Sequence, residues 1–271
     1  MIIPNNNKTQ TVGIAGLGAI GSAVGRALNA GIDGLTWHAA SDIAPNTEFS
    51  DIPLMDFEAL CETCDIIIEC LPPNQVPALA KYAIKKQKTF IVISSCALLM
   101  FPEILDIHSS TPRSKRGRII VPSGALAGID GVKGLKELGI KKSIIASTKH
   151  PRGFIDAPYV DKMQIQLDQI ETKTKMFEGN ALEAAEGFPA NVNVAATLSL
   201  AGIGAQKTHV EIWADPYATG NSHEITVEGD FSRITSRIEN MPDPANPKSS
   251  MMAAQSIVAC LKDINSALVI L

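Results

Sequence analysis

Three glycines near the N-terminus, Gly16, Gly18 and Gly21, stand in the spacing G-x-G-x-x-G, with Leu17, Ala19 and Ile20 between them. In that spacing the first glycine makes a tight turn and the second lets backbone come close to a pyrophosphate. The third lets a helix pack closely on a strand. A helix starting there offers free N–H groups and a positive dipole end to phosphates. The pattern alone is weak, but an apolar run, Thr11 to Ala15, precedes it and a small-residue helix, SAVGRALNA, follows. That context points to dinucleotide binding rather than a purely structural turn, and the third glycine fits a methyltransferase less well. Asp42 stands 21 residues beyond Gly21, just past a second strand ending at Ala40. A carboxylate there can hold both hydroxyls of a ribose, which favours NAD. Ser41 beside it is small and neutral, so NADP stays open. The cofactor set is thus Gly16, Gly18, Ala19, Ile20, Gly21 and Asp42.

Hydride transfer moves a proton as well, and histidine suits that task because its pKa lies near neutrality. The histidines are His38, His108, His150, His209 and His223. His223 opens the strand HEITVE, where a period of two puts it on one face with Ile225 and Val227. Glu224, Thr226 and Glu228 take the other face. His223 is therefore a proton-transfer candidate at the rim of an apolar surface, or a satisfied core histidine. Cys61 and Cys64 have C-x-x-C spacing, but no second ligand pair lies nearby, so they read as residues of a short helix rather than a metal site. No metal is expected.

The elements that must carry these residues alternate. Strands are expected at Thr11 to Ala15, Leu35 to Ala40, Asp65 to Leu71, Thr89 to Ser94 and Arg118 to Val121. Helices fall between them, including Asn74 to Lys86 with Asn74 as N-cap and Pro77 in its first turn, and Phe101 to His108. Continuous apolar strands such as DIIIECL suit a parallel sheet buried on both faces. After about Pro122 the pattern changes. Gly128 to Leu138 reads as a helix, Ser143 to Thr148 as a strand and Ala190 to Ile203 as a helix. Strands follow at His209 to Ala214, His223 to Glu228 and Ile234 to Ile238, with connections short enough for antiparallel pairing. MPDPANP reads as a linker, and Lys248 to Asp263 as an amphipathic helix able to return to the first domain.

The expected fold is α/β: a Rossmann-type doubly wound parallel sheet, a second α+β catalytic domain, and a C-terminal helix that rejoins the first. The domains are residues 1–122 plus 243–271, for dinucleotide binding, and 123–242, for catalysis and dimerisation. The chain has 271 residues, 45% of them hydrophobic, enough for a sizeable core. Its formal charge of −4 and pI of about 5.8 argue against a nucleic-acid partner. No apolar run reaches the ~20 residues of a membrane span. MIIPNNNKTQ lacks signal-peptide character, and five scattered cysteines fit a reducing compartment, so a cytoplasmic setting is expected.

Four further segments carry a family resemblance: PSGALAGIDG (122–131), EGNALEAAEGFPANVNVAATLSLAGIG (178–204), ADPYATGNSHEITVEG (214–229) and ENMPDPANPKSS (239–250). With GLGAIG they span nearly the whole chain in order, and the chain resembles the L-aspartate dehydrogenases. The resemblance implies His223 as the active-site histidine, and Ala127 and Asn193 as nicotinamide-side contacts. It implies oxidation of L-aspartate to iminoaspartate with NAD or NADP, water then giving oxaloacetate and ammonia. It also implies a homodimer and, in many hosts, supply of the imine to NAD biosynthesis. Two positions depart from the family pattern. Cys96 stands where a glycine is common, and Lys149-His150-Pro151 replaces a basic-Pro-Pro stretch.

A dicarboxylate substrate calls for cations or oriented donors. Lys149, Arg152, Lys207 and Lys248 are candidates, and Lys149 is preferred because it ends a strand. Asn191 and Asn221 join it as candidate substrate contacts. Two alternatives remain: a related two-domain NAD(P)-dependent oxidoreductase acting on another imine, keto acid or semialdehyde, and a non-catalytic dinucleotide sensor.

Overall fold

The structure, a computed structural model, describes residues 9–241 and 251–270. The chain divides into two compact units. One comprises Met1–Ala97, Phe101–Pro122 and Ala253–Leu271; the other comprises Leu98–Met100 and Ser123–Met252.

In chain order the first stretch runs β1 (Gln10–Ala15), α1 (Ala19–Asn29), β2 (Leu35–Ser41), α2 (Phe57–Thr63), β3 (Ile66–Glu69) and α3 (Val76–Lys85). It continues with β4 (Thr89–Val92), the single turn α4 (Ala97–Met100), α5 (Glu103–Ser110) and β5 (Arg118–Ile120). The five strands form one parallel sheet in the order β2-β1-β3-β4-β5. This is a doubly wound sheet whose topological switch lies between β1 and β3. All four residues of β3 are buried, as are the last four of β1, as expected for strands covered on both faces. The expected strands at 65–71 and 89–94 are real but shorter. Their last residues leave the ladder as loops at the carboxyl edge of the sheet.

The expected N-cap at Asn74 is wrong. Pro73–Gln75 form a separate 3-10 turn, and α3 starts at Val76 with Gln75 in the cap position and no side-chain cap bond. A proline at the start of that turn uses the conformation that would otherwise begin the helix. Pro77 does sit in the first turn of α3.

The second stretch runs α6 (Ile129–Leu138), β6 (Ile140–Lys149), α7 (Pro158–Lys162), β7 (Thr174–Asn180), α8 (Ala181–Gly187) and α9 (Asn193–Ala201). Then come β8 (Thr208–Ala214), β9 (Asn221–Gly229) and β10 (Arg233–Asn240). Their sheet has the order β10-β9-β6-β8-β7. β9 and β10 form the expected antiparallel pair, but β8 and β9 do not pair. β6 lies between them, parallel to β8 and antiparallel to β9. A connection of six residues spans up to roughly 20 Å, and a next-but-one strand is only about 10 Å away, so a short loop does not force neighbours to pair. β7 was not anticipated, because Thr174–Asn180 has little alternation. Beneath this sheet the rings of Phe154, Tyr159, Phe177 and Phe188 meet edge-on or tilted at 5.2–5.9 Å.

The linker expected at MPDPANP lies outside the described residues beyond Met241. α10 (Met251–Asn265) returns to the first unit as expected. Its Ile257, Val258 and Leu261 are buried with Val12, Ile14, Ile66 and Ile91 of the parallel sheet. Each such aliphatic burial is worth about 1.5–3 kcal/mol, enough to fix the helix against the sheet.

Candidate active site

The glycine turn lies in the first unit, between β1 and α1. Gly16 has a φ of +92°, and a Cβ there would collide with the carbonyl oxygen of Cys70. A Cβ on Gly21 would collide with the carbonyl oxygen of Gly16. Both glycines are therefore required by the chain itself. Gly18 is different: a Cβ there would meet nothing within 4 Å. The open space before α1 fits a pyrophosphate approaching backbone, so these residues suit a dinucleotide. Ala19 and Ile20 open α1, where free N–H groups face that space.

Asp42 follows β2 and grips the same turn. Its Oδ2 accepts the Leu17 N–H at 2.5 Å, and its Oδ1 accepts the Ile43 N–H at 2.6 Å. Oδ1 also accepts the Ala44 N–H at 3.4 Å, while Oδ2 keeps a second lone pair for a ribose hydroxyl.

Four polar residues come together in the second unit. β6 and β9 are antiparallel with Ser147 opposite His223. Ser147 Oγ lies 2.9 Å from His223 Nδ1, with both residues buried. His223 shares the buried face of β9 with Ile225 and Val227, while Glu224 is exposed, as the alternation predicts. Burial pushes the His223 pKa down to about 3, with the nearby Lys149 charge adding to the effect. The ring is neutral at working pH. Two residues beyond Ser147 on β6, Lys149 donates from Nζ to Asn191 Oδ1 at 2.8 Å. Desolvation lowers the Lys149 pKa to about 8, so the ammonium still dominates near neutrality but gains from any arriving carboxylate.

Asn191 sits in the loop before α9, its N–H bonded to the Phe188 carbonyl, and Asn193 is the first residue of α9. The helix expected from Ala190 therefore begins three residues later. Ala127 precedes Gly128, whose φ of +80° turns the chain into α6, and the Ala127 carbonyl accepts from Ser236 Oγ at 2.8 Å. Asn221 lines a separate cavity of about 200 Å³ with Thr148, Asp215 and Arg237; neither His223 nor Lys149 lines it.

Two buried polar residues escaped the sequence reading. Ser147 shares the inward face of β6 with Ser143, Ile145 and Lys149, and polar residues recurring at every second position of a strand beside one isoleucine were the available signal. Glu69 ends the apolar run IIIE and is fully buried; a carboxylate closing such a run was its signal.

Cys61 lies on α2 and Cys64 caps it, both buried as thiols, and burial pushes Cys61 up to about 12. Cys96, at the start of α4, is likewise held at about 12. Such thiols are poor nucleophiles and poor metal ligands. Among the described residues, Glu178, His209 and Glu211 are one group of metal-ligand type lying together. Lys175 donates to Glu178 at 2.6 Å and to Glu211 at 3.1 Å, so an ammonium already supplies the positive charge there.

Comparison with known proteins adds to this geometry. A family model described as aspartate dehydrogenase, C-terminal, matches residues 130–264. Another, described as D-isomer specific 2-hydroxyacid dehydrogenase, NAD binding domain, matches residues 2–88. The L-aspartate dehydrogenase of Bradyrhizobium diazoefficiens is 40% identical over 259 residues, covering 93% of this chain and 90% of its own length. That of Methanosarcina acetivorans is 39% identical over 261 residues, covering 93% and 96%. The solved aspartate dehydrogenase of Thermotoga maritima superposes with a TM-score of 0.76 at 26% identity, covering 96% of this chain and 99% of that one. The apo scyllo-inositol dehydrogenase of Lactobacillus casei shares the fold alone, at 16% identity and a TM-score of 0.53. The NAD-binding match and the dehydrogenase relatives support a nicotinamide cofactor.

Proposed function

We propose that this chain, which belongs to the L-aspartate dehydrogenase family, oxidises L-aspartate to iminoaspartate with NAD or NADP, and that water then yields oxaloacetate and ammonia, reversibly. The observation that carries this reading is the buried pairing of Ser147 with His223 beside the part-buried pairing of Lys149 with Asn191. A proton acceptor and a cation for a carboxylate stand side by side there, as an amino-dicarboxylate requires.

A bound nicotinamide cofactor would supply the acceptor for the hydride of the substrate Cα. In this reading the chain supplies orientation and proton handling. Lys149 holds a substrate carboxylate through a charge-assisted hydrogen bond, with Asn191 fixing the ammonium. His223, kept neutral by burial, removes a proton from the substrate ammonium and frees the nitrogen lone pair that drives hydride departure. If its Nδ1–H donates to Ser147 Oγ, Nε2 carries the lone pair that takes the proton. In the reverse direction the imidazolium returns it. Ala127 and Asn193 contact the nicotinamide side, and Asn221 is a further candidate for the substrate.

The first unit takes the role of dinucleotide binding through Gly16, Gly18, Ala19, Ile20, Gly21 and Asp42. Asp42 favours NAD, because a 2′-phosphate would meet its negative charge. The second unit takes catalysis and homodimer contacts. In support of the latter, Ile144, Ala146, Trp213 and Thr226, on the sheet face opposite His223, are only partly covered. Free cysteines accord with a cytoplasmic setting, and the imine product suits supply to NAD biosynthesis.

One assay tests the reaction. NADH and NADPH are offered separately with oxaloacetate, with and without ammonia. Reduced cofactor should be consumed only when oxaloacetate and ammonia are both present; consumption without ammonia would instead mark a keto-acid reductase.

A further inference from the structure

Glu69 ends β3 at the switch point of the parallel sheet, beside Ala15 of β1 and Val92 of β4. It is fully buried. Its two carboxylate oxygens go to different loops. Oε1 accepts the Leu71 N–H, on the chain leaving β3, at 2.6 Å. Oε2 accepts the Ser94 N–H, on the chain leaving β4, at 2.9 Å. Ser94 Oγ closes the link by donating to the Leu71 carbonyl at 2.7 Å. Between these contacts, the Cys70 N–H donates to the Ala15 carbonyl, and the Cys70 carbonyl is the atom that forbids a side chain at Gly16. The residue thus ties two loops to each other and to the floor of the glycine turn.

A dinucleotide on a doubly wound sheet lies across the carboxyl ends of the strands, with its two halves on either side of the switch. Asp42, at the end of β2, marks the adenosine side. The loops after β3 and β4 lie on the other side of β1 and flank the nicotinamide half. We propose that Glu69 is a cofactor-positioning residue, whose carboxylate clamps the loops after β3 and β4 and so sets the walls of the nicotinamide side of the crevice. This rests on the nicotinamide-cofactor reading and not on the identity of the substrate.

The side chain must be a carboxylate for this. Two N–H donors need two acceptor oxygens, and an amide has one oxygen and a donating NH₂. Burial pushes the Glu69 carboxyl up to about 7, with the backbone N–H groups of Ser94, Leu71 and Ile93 and the Ser94 side chain opposing the rise, so the clamp titrates near neutrality. Ala15, Val92, Leu71 and Ser94 around it bring no charge. Cys70 is the titratable neighbour, and burial together with the Glu69 charge keeps it a thiol. Protonation turns one acceptor oxygen into a donor and loosens the clamp.

The test measures NADH and ADP-ribose binding to the full chain by fluorescence titration and calorimetry, alongside thermal melting. ADP-ribose carries the adenosine and pyrophosphate but no nicotinamide. Glu69→Gln should weaken NADH about tenfold, the loss of roughly one hydrogen bond's worth of order, with ADP-ribose within about twofold of wild type. Wild-type affinity for NADH, relative to ADP-ribose, should fall between about pH 8 and pH 6, and the variant should show no such dependence. Wild-type-like NADH binding by Glu69→Gln, or equal weakening of both ligands, overturns the proposal. If the variant does not fold, the wild-type titration decides, and parallel pH curves for the two ligands reject the clamp. Wild-type protein that binds neither NADH nor NADPH would remove the cofactor reading itself, and this inference with it.

Discussion

Ser147 and His223, 76 residues apart in sequence, face each other across the β6–β9 ladder with the serine hydroxyl 2.9 Å from Nδ1. A buried ring held by one nitrogen has its other nitrogen aimed in a fixed direction, which is what proton transfer to a bound substrate needs. His223→Ala should therefore lower kcat by roughly 100-fold or more, within the usual range of general acid–base catalysis. NADH affinity should change little. Ser147→Ala should cost less, about tenfold in kcat, because it removes the orienting bond and not the base. It should also move the acidic limb of the kcat–pH profile, a change that simple loss of packing would not cause. A Ser147→Ala enzyme with wild-type kcat and profile sinks the orienting role.

Lys149 and Asn191 make a prediction of the opposite kinetic kind. Lys149→Met keeps the length of the side chain and removes its charge. The KM for oxaloacetate should rise by about 10- to 100-fold, the range of a lost charge-assisted hydrogen bond. The same change removes the charge that helps depress His223, so in the direction of aspartate oxidation, where His223 acts as the neutral base, the acidic limb of kcat/KM should shift upward in pH. Steady-state kinetics across pH check both, and an unchanged KM would place the substrate carboxylates elsewhere.

The glycine turn separates folding from binding. Gly18→Ala places a methyl group in open space, so the melting temperature should hold while NADH affinity falls by at least about tenfold. Gly21→Ala forces a Cβ against the Gly16 carbonyl, so the protein itself should be destabilised by about 1–3 kcal/mol. Melting and NADH titration of the two variants distinguish these outcomes. A Gly18→Ala protein that melts early but binds normally would contradict the assignment.

The depressed His223 pKa sets a direction for stability against pH. Its folded-state value of about 3 lies below the ordinary 6.5, so the unfolded chain binds the extra proton first. Stability from this group is fully present above about pH 6.5 and is lost as the pH falls from there toward 3. Urea unfolding at pH 7.5 and pH 5 should show this loss in wild type. In His223→Leu the loss should be smaller. Equal losses in both proteins would mean that the buried ring does not govern the acid side.

The residues that identified themselves in sequence did so through local physics. Gly21 is required by a contact within one strand–turn–helix unit and Gly16 by its own positive φ, although the Cys70 carbonyl that also excludes a side chain there comes from the chain after β3. The apolar runs of β1, β3 and β4 need only a two-sided environment to declare themselves. His223 was placed on the apolar face by alternation alone. Family resemblance supplied Ala127 and Asn193, whose local contacts carry no such signal.

Other features depended on partners distant in the chain. Asn74 has the right chemistry for a cap, yet Pro73 draws it into a 3-10 turn. The connection from β8 to β9 is short enough for direct pairing, yet β6, from more than 50 residues earlier, takes the place between them. That insertion brings Ser147 opposite His223, and Lys149 near it. Glu69 likewise reads as the last residue of a strand until the loops after β3 and β4 converge on its two oxygens. The glycine spacing of the turn, the alternation of the doubly wound half and the inward face of His223 are legible in the sequence, because spacing, apolar runs and strand periodicity act over a few residues. The order of the second sheet and the partners of His223, Lys149 and Glu69 come from the assembled fold. Ladder pairing and hydrogen bonds between distant strands depend on which strands the whole fold makes adjacent.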